Sequence, residues 1–350
     1  MNAPFRRALV TGVSGQDGSL LAARLLAGSV EVIGTHRPGV APDLWRLREL
    51  GIADHAALAL TPLDPLDADA CAALIAQSAP EVIFHLAGQS SVAASFRDPA
   101  GSVRANGLGT VNMLEAVRAR APKTHVVLAS SAEIFGEPEN APQNEATPLA
   151  PVSPYGLSKL VAHSAIASWR SSFALRASSA ILFNHESEWR DTAFVTRKLS
   201  RGAARIALAL EESIALGNLE ARRDFGYAPD YVAAMIAMAA REEGDDYVLA
   251  TGEASSIRDY AGAAFAAAGM TLDWFGEGFD EVGVERGSDR VRVRIDASLF
   301  RPNDAPLLVG DASKARRELG FTRSLDVAGL ARRMVEADLA RERAASGGAR

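Results

Sequence analysis

The chain has 350 residues, 48% hydrophobic and 23% charged, with 43 acidic against 37 basic side chains and a formal net charge of −6. That length and balance predict a globular α/β-sized chain of one two-lobed unit or two domains, and the acidic surplus argues against nucleic acid as a partner. A single cysteine, Cys71, excludes an intrachain disulfide and a cysteine-cluster metal site; with no run near the ~18 apolar residues of a membrane helix, a cytoplasmic protein is expected.

The chain opens with an apolar strand, "ALVTG", that leads straight into "TGVSGQDG". Gly12, Gly15 and Gly18 thus stand between a strand and a helical pattern, "SLLAARLLA". Glycines at such a turn let the backbone approach a pyrophosphate that rests on the helix N-terminus. The Gly-x-x-Gly-x-x-Gly spacing is similar to that of the extended short-chain dehydrogenase/reductase superfamily. The second strand runs into "VIGTHRPG", where the residue that reads the adenosine ribose is expected. It holds no carboxylate and offers Arg37, which favours NADP over NAD; a solvated surface arginine is the plain alternative.

Further strands are read in "AALALTPLD", "EVIFHLAG", "THVVLASS" and "ASSAILFN", alternating with helices in "DACAALIAQ", "GTVNMLEAVRAR" and "YGLSKLVAHSAIASW". That alternation predicts a Rossmann-like, doubly wound parallel sheet, with ligands at the carboxyl ends of its strands. The predicted dinucleotide-binding domain covers 1–183 plus about 221–250, where "YAPDYVAAMIAMAA" reads as a returning helix. A smaller α/β substrate lobe, with loops and isolated helices prominent, is expected over 184–220 and 251–340, and residues 341–350 as a frayed tail.

Two segments carry the chemistry. "SPYGLSKL" places Tyr155 and Lys159 at i and i+4, on one helix face. An ammonium there stabilises phenolate, so the tyrosine can serve as a base near neutral pH. In isolation such a pair is also a common surface arrangement; the strand-end Ser131, placed to hydrogen-bond the oxygen that Tyr155 deprotonates, changes the weighting. "ASSAEIFG" then puts Glu133 two residues beyond Ser131, on the same side of an extended strand. A loop or capping carboxylate is the bland reading. The functional one is a base for elimination, since oxidising a hexose at C4 acidifies the C5 proton.

In "TGVSGQDGSLL", "WRLRELGI", "HLAGQSSVAASF", "ASSAEIFGE", "SPYGLSKL", "NHES", "FVTRK", "LGNLEARRD" and "FRPNDAPLLVGD", taken in order, the sequence resembles the GDP-mannose 4,6-dehydratase family from about residue 7 to 340. The resemblance implies C4 oxidation, loss of water from C5 and C6, and return of the hydride to C6, with Ser131, Glu133, Tyr155 and Lys159 as catalytic residues. It implies a recycled NADP held by Gly12, Val13, Ser14, Gly15, Gln16, Asp17, Gly18, Arg37, Asp64, Leu86, Ala87, Gly88, Gln89, Ser90, Tyr155, Lys159, His185 and Arg190. It implies a GDP-sugar met by Ser131, Glu133, Asn184, Arg197, Lys198, Asn218, Arg223, Arg301 and Asp304, no metal, and a homodimer or homotetramer. Grouped cations in "FVTRK" and "EARRD" suit a diphosphate, although a solvated face is the default for such runs. His185 could equally be a hydrogen-bonded core residue.

Departures from the family pattern fall at Arg37-Pro38-Gly39, where a second arginine and a serine are usual, at "SEWRD", and at Asp304, one methylene short of glutamate. They bear on NADP preference, assembly and the choice of sugar. The competing readings are a dehydratase of a related GDP-sugar such as a GDP-heptose, a nucleotide-sugar epimerase or reductase, and a catalytically silent dinucleotide-binding sensor.

Overall fold

The computed structural model describes residues 4–137, 141–300 and 307–347. Contacts divide the chain into two units. The first comprises 1–183, 228–250 and 310–322; the second comprises 184–227, 251–309 and 323–350.

The first unit is built on a seven-stranded sheet: β1 (Arg7–Thr11), β2 (Glu31–His36), β3 (Leu58–Pro62), β4 (Val82–His85), β5 (His125–Ala129), β6 (Ala177–Leu182) and the strand Asp246–Leu249. From one edge the order is Asp246–Leu249, β6, β5, β4, β1, β2, β3, and every pairing is parallel. Parallel sheets are covered on both faces, so their central strands are apolar without alternation. Leu9, Val10, Ile83, Phe84 and Val127 are fully buried accordingly. The order reverses between β1 and β4, and ligands of doubly wound sheets bind outside the carboxyl ends at such a switch point.

Helices α1 (Gln16–Ala27), α2 (Trp45–Glu49) and α3 (Ala68–Ser78) follow the first three strands. Helix Pro154–Phe173 is set by Ser153, whose hydroxyl accepts the Gly156 N–H at 3.0 Å, and by Pro154 in its first turn; Ala174 ends it in the left-handed region.

The second unit holds the small sheets and helices of an α/β lobe. One has the order Leu272–Phe275, Val282–Glu285, Val291–Ile295, Ile214–Leu216, and another joins Ala254–Ser256, Arg222–Asp224 and Leu307–Leu308. Helices Val195–Ala207, Ile257–Ala267 and Val327–Gly347 pack around Leu199, Phe225, Tyr260, Phe265 and Met334.

Three boundaries differ from expectation. The return to the first unit begins at Ala228 rather than near 221, because Arg222–Asp224 is a strand of the second unit. The buried Asp224 carboxylate fixes it there, accepting the Thr251 and Gly252 amides at 2.8 and 2.9 Å. Residues 310–322 also return to the first unit: Lys314 donates to the Asp246 carbonyl at 2.9 Å, and Gly310 lies against Ala250 and Phe183 where a Cβ would not fit. The last helix continues to Gly347 instead of fraying at 341, with Glu342 paired to Arg201 and Arg205 at 2.7 Å each. Among the described residues no helix is long and apolar enough to cross a membrane.

Candidate active site

Beyond β1, Gly12 turns the chain with φ 71°, a conformation glycine takes without strain. Gly18, in the first turn of α1, sits where a Cβ would lie 2.3 Å from the Gly12 carbonyl oxygen. The loop therefore folds tightly onto its own helix. Val13 donates to the Thr35 carbonyl at 3.0 Å, which ties the loop to the end of β2. Helix α1 starts at Gly15 without a side-chain cap, so backbone amides, and no bulky group, face the space at its N-terminus. This cradle suits a dinucleotide diphosphate.

Leu86 and Ala87, just past β4, donate their amides to the Thr11 hydroxyl at 3.0 Å each, which joins the segment Leu86–Ser90 to the end of β1. Gly88 lies where a Cβ would meet the Asn106 amide oxygen at 2.2 Å. Asn106, buried in a single π-turn at Arg104–Leu108, also exchanges hydrogen bonds with the Gln89 backbone at 2.9 and 3.0 Å and donates to the Ser158 hydroxyl at 2.7 Å. Sequence reasoning missed it. An asparagine inside a helical stretch, flanked by glycine, was the available signal.

Sequence reading placed Glu133 along an extended strand with Ser131. Instead β5 ends at Ala129, and Ser131 caps a single turn of 3₁₀ helix, Ala132–Ile134, its hydroxyl accepting the Glu133 N–H at 3.3 Å. The turn, not strand alternation, presents the half-buried Glu133. The cap of this turn is the Ser131 hydroxyl, which binds the amide of the carboxylate-bearing residue.

Tyr155 and Lys159 are both buried. The Lys159 ammonium donates to the Ala129 carbonyl at 2.8 Å and lies 5.9 Å from the Tyr155 ring centroid. The Tyr155 amide donates to the Ser95 hydroxyl at 3.0 Å. Burial pushes the Lys159 pKa down to about 8, and the Asp17 carboxylate of the glycine loop partly opposes that. His85, deep at the end of β4, is pushed down to about 4 by burial and by the Lys159 charge, so it is neutral; it pairs with the Thr11 hydroxyl at 3.0 Å. Thus the glycine loop, the ends of β1, β4 and β5, and helix Pro154–Phe173 bring one set of polar groups together.

Two cofactor candidates lie further out in this unit. Arg37 is exposed just past β2. Asp64 is exposed after β3, where its carboxylate accepts the Leu66 amide at 3.0 Å.

Within the second unit, His185 is buried on a two-residue strand beside Gly226. Arg190 stacks on the Phe194 ring, 3.6 Å to its centroid, and pairs with the buried Glu186 at 3.0 Å. Arg197 corrects the sequence reading. Its guanidinium is buried, pairs with Asp338 at 2.6 and 2.9 Å, and donates to the Glu188 and Arg190 carbonyls at 2.7 and 2.9 Å. Those bonds leave it a structural tie rather than a hand for a diphosphate. Lys198 is half-buried, Asn218 is exposed with its side chain accepting the Glu220 amide at 2.9 Å, and Arg223 is buried, donating to the Arg222 carbonyl at 2.8 Å. Arg301 and Asp304 lie outside the described residues. Among the described residues no group of three His, Cys, Asp or Glu side chains could hold a metal ion.

A family model described as GDP-mannose 4,6 dehydratase matches residues 9–334. A protein of Sinorhizobium fredii named GDP-mannose 4,6-dehydratase is 40% identical over 337 residues, 95% of this chain and 96% of its own. A human protein named GDP-mannose 4,6 dehydratase is 37% identical over 345 residues, 97% of this chain and 93% of its own. The structure of DesIV, a dTDP-glucose 4,6-dehydratase from Streptomyces venezuelae with NAD and TYD bound, superposes with a TM-score of 0.80 over 97% of this chain and 98% of its own. At 21% identity that likeness concerns the fold.

Proposed function

The chain belongs to the GDP-mannose 4,6-dehydratase family, and from that premise we propose that it converts GDP-α-D-mannose to GDP-4-dehydro-6-deoxy-α-D-mannose and water. One observation carries the reading furthest. A carboxylate, Glu133, stands on a turn whose backbone packs against the helix that carries Tyr155 and Lys159. Tyrosine and lysine suffice to oxidise a carbinol; the added acid–base group is what an elimination requires.

In this reading Tyr155 takes the proton from the sugar's O4 while hydride leaves C4, and Lys159 favours the phenolate form. Ser131 holds the O4 oxygen. Glu133 then removes the C5 proton, made acidic by the C4 ketone, and protonates the departing C6 hydroxyl, which leaves as water. Hydride returns to C6 and a proton to C5, so the cycle has no net redox. NADP bound along Gly12–Gly18 and Leu86–Ser90 would supply the hydride acceptor at the start and the donor at the end. The exposed Arg37 and the missing carboxylate after β2 favour NADP over NAD. Asp64, His185 and Arg190 complete the proposed cofactor contacts. Asn184, Lys198, Asn218, Arg223, Arg301 and Asp304 are proposed for the nucleotide sugar.

Self-association as a homodimer or homotetramer is also proposed. Leu157 and Val161, one turn apart on helix Pro154–Phe173 and 48% and 37% exposed, would be covered in such an assembly. The single, buried Cys71 suits the proposed cytoplasmic location.

The test is incubation with GDP-mannose, GDP-heptose and UDP-glucose, each with catalytic NADP⁺, followed by mass spectrometry. GDP-mannose should lose one water without consuming cofactor. Turnover of another nucleotide sugar alone would overturn the substrate, and stoichiometric use of NADPH would make the protein a reductase.

A further inference from the structure

The sequence "WRLRELGI" is without a role in the chemistry above, yet its Arg46 is buried while Arg48, on the same short helix α2, is exposed. Desolvating a guanidinium is unfavourable unless its donors are used. The Arg46 guanidinium lies over the Trp45 ring, 4.6 Å from the centroid, and its Nη1 donates to the Ser14 carbonyl at 3.0 Å.

Ser14 is the middle of the glycine loop. On one side the Val13 amide donates to Thr35, and on the other the Gly15 amide donates to Gly12, both at 3.0 Å. The Ser14 carbonyl and the Gly15 amide belong to one peptide plane, and the bond from Arg46 anchors that plane at its carbonyl end as the Gly12 carbonyl does at its amide end. A carbonyl oxygen turned toward a bound diphosphate would repel it, whereas one held by a cation leaves the loop's positive, amide-bearing side to the anion. The hydrogen bond is charge-assisted, the stronger kind, so it can hold the peptide against rotation.

We propose that Arg46 is a positioning residue of the dinucleotide site: it locks the Ser14 carbonyl away from the diphosphate and so holds the glycine loop in its binding conformation. The inference rests on the assignment of Gly12–Gly18 to a dinucleotide. Because the diphosphate is common to both dinucleotides, the residue acts equally on NADPH and NADH.

The experiment titrates nucleotide-free, full-length protein with NADPH and with NADH, following nicotinamide fluorescence, and records the melting temperature of each variant. Arg46→Met should weaken both dinucleotides at least tenfold and by equal factors, and Arg48→Met should leave both unchanged. Unchanged affinity in Arg46→Met, with or without a lower melting temperature, would overturn the inference. So would a loss confined to NADPH, which would make Arg46 a reader of the ribose phosphate. Should Arg46→Met not fold, Arg46→Gln keeps an N–H donor but loses the charge; it should weaken both equally by a smaller factor, and wild-type affinity in it would be equally damaging. A wild-type protein that binds neither dinucleotide would overturn the loop assignment itself, an outcome distinct from all of these.

Discussion

Gly156→Ala is the perturbation whose consequence can be worked out most completely. Gly156 follows Tyr155 in the first turn of its helix, and a Cβ there would stand 2.5 Å from the Glu133 carbonyl oxygen, 2.9 Å from the Pro151 Cβ and 3.2 Å from the Ser153 hydroxyl. Ordinary contact begins at 3.4 Å, so the Glu133 backbone and the helix must part by about 0.9 Å (3.4 − 2.5). None of the three neighbours is the end of a flexible chain: one is backbone, one a proline ring, one the helix cap. On propensity alone, glycine to alanine in a helix stabilises by about 1 kcal/mol. Overpacking costs about 1–3 kcal/mol, so the clash should win. The displacement separates Glu133 from Tyr155 and Lys159, and a misplacement near 1 Å can lower turnover on the order of a hundredfold. The control is Gly262→Ala, in helix Ile257–Ala267, where nothing lies within 4 Å of the added methyl. It should keep full activity and gain stability. Melting curves and steady-state turnover of GDP-mannose for the two variants form the assay. A Gly156→Ala protein as stable and as active as Gly262→Ala would refute the claim that this contact sets the geometry of the site.

Three further outcomes are expected. Glu133→Gln should let reduced nicotinamide accumulate when GDP-mannose is added, seen in its near-ultraviolet absorbance, while water loss falls by about 10²–10⁴-fold; full dehydration would remove Glu133 from the reaction. Asp338→Asn should destabilise the protein by roughly 3–5 kcal/mol in denaturant melts, since it leaves the Arg197 charge buried without its partner; a raised KM with an unchanged melt would return Arg197 to the substrate. His85 and His125 have folded pKa values near 4, below their ordinary 6.5, because burial disfavours the charged ring. Their contribution to stability is therefore complete above about pH 6.5 and lost as the pH falls toward 4, on the order of 3 kcal/mol each. Urea midpoints measured across that window should fall steeply, and a flat profile there would contradict the neutral, buried assignment.

The first unit was legible because parallel strands buried on both faces leave contiguous apolar runs, as in "HVVLA" and "EVIFH". The placement of Tyr155 and Lys159 in the candidate site was legible for a related reason: they lie one helical turn apart, and their face follows from the period alone. The turn at Glu133 was not, since Ser130, Ser131 and Ala132 fit an extended chain as well as a capped turn. Arg197 misled for a physical reason: a basic run is visible in sequence, whereas its carboxylate partner, Asp338, lies 141 positions away. The second unit was legible as an α/β lobe but not strand by strand, because strands of two to five residues are held by pairing and carry too little periodicity to read.

In the proposed cycle, hydrogen taken from C4 of the hexose is returned, within the same turnover, at C6. GDP-mannose carrying deuterium at C4 tests it directly, with the product examined by mass spectrometry and NMR. Deuterium should appear at C6, with the C5 hydrogen drawn from solvent. Deuterium lost to the medium, or retained at C4 of a product that has shed no water, would contradict it.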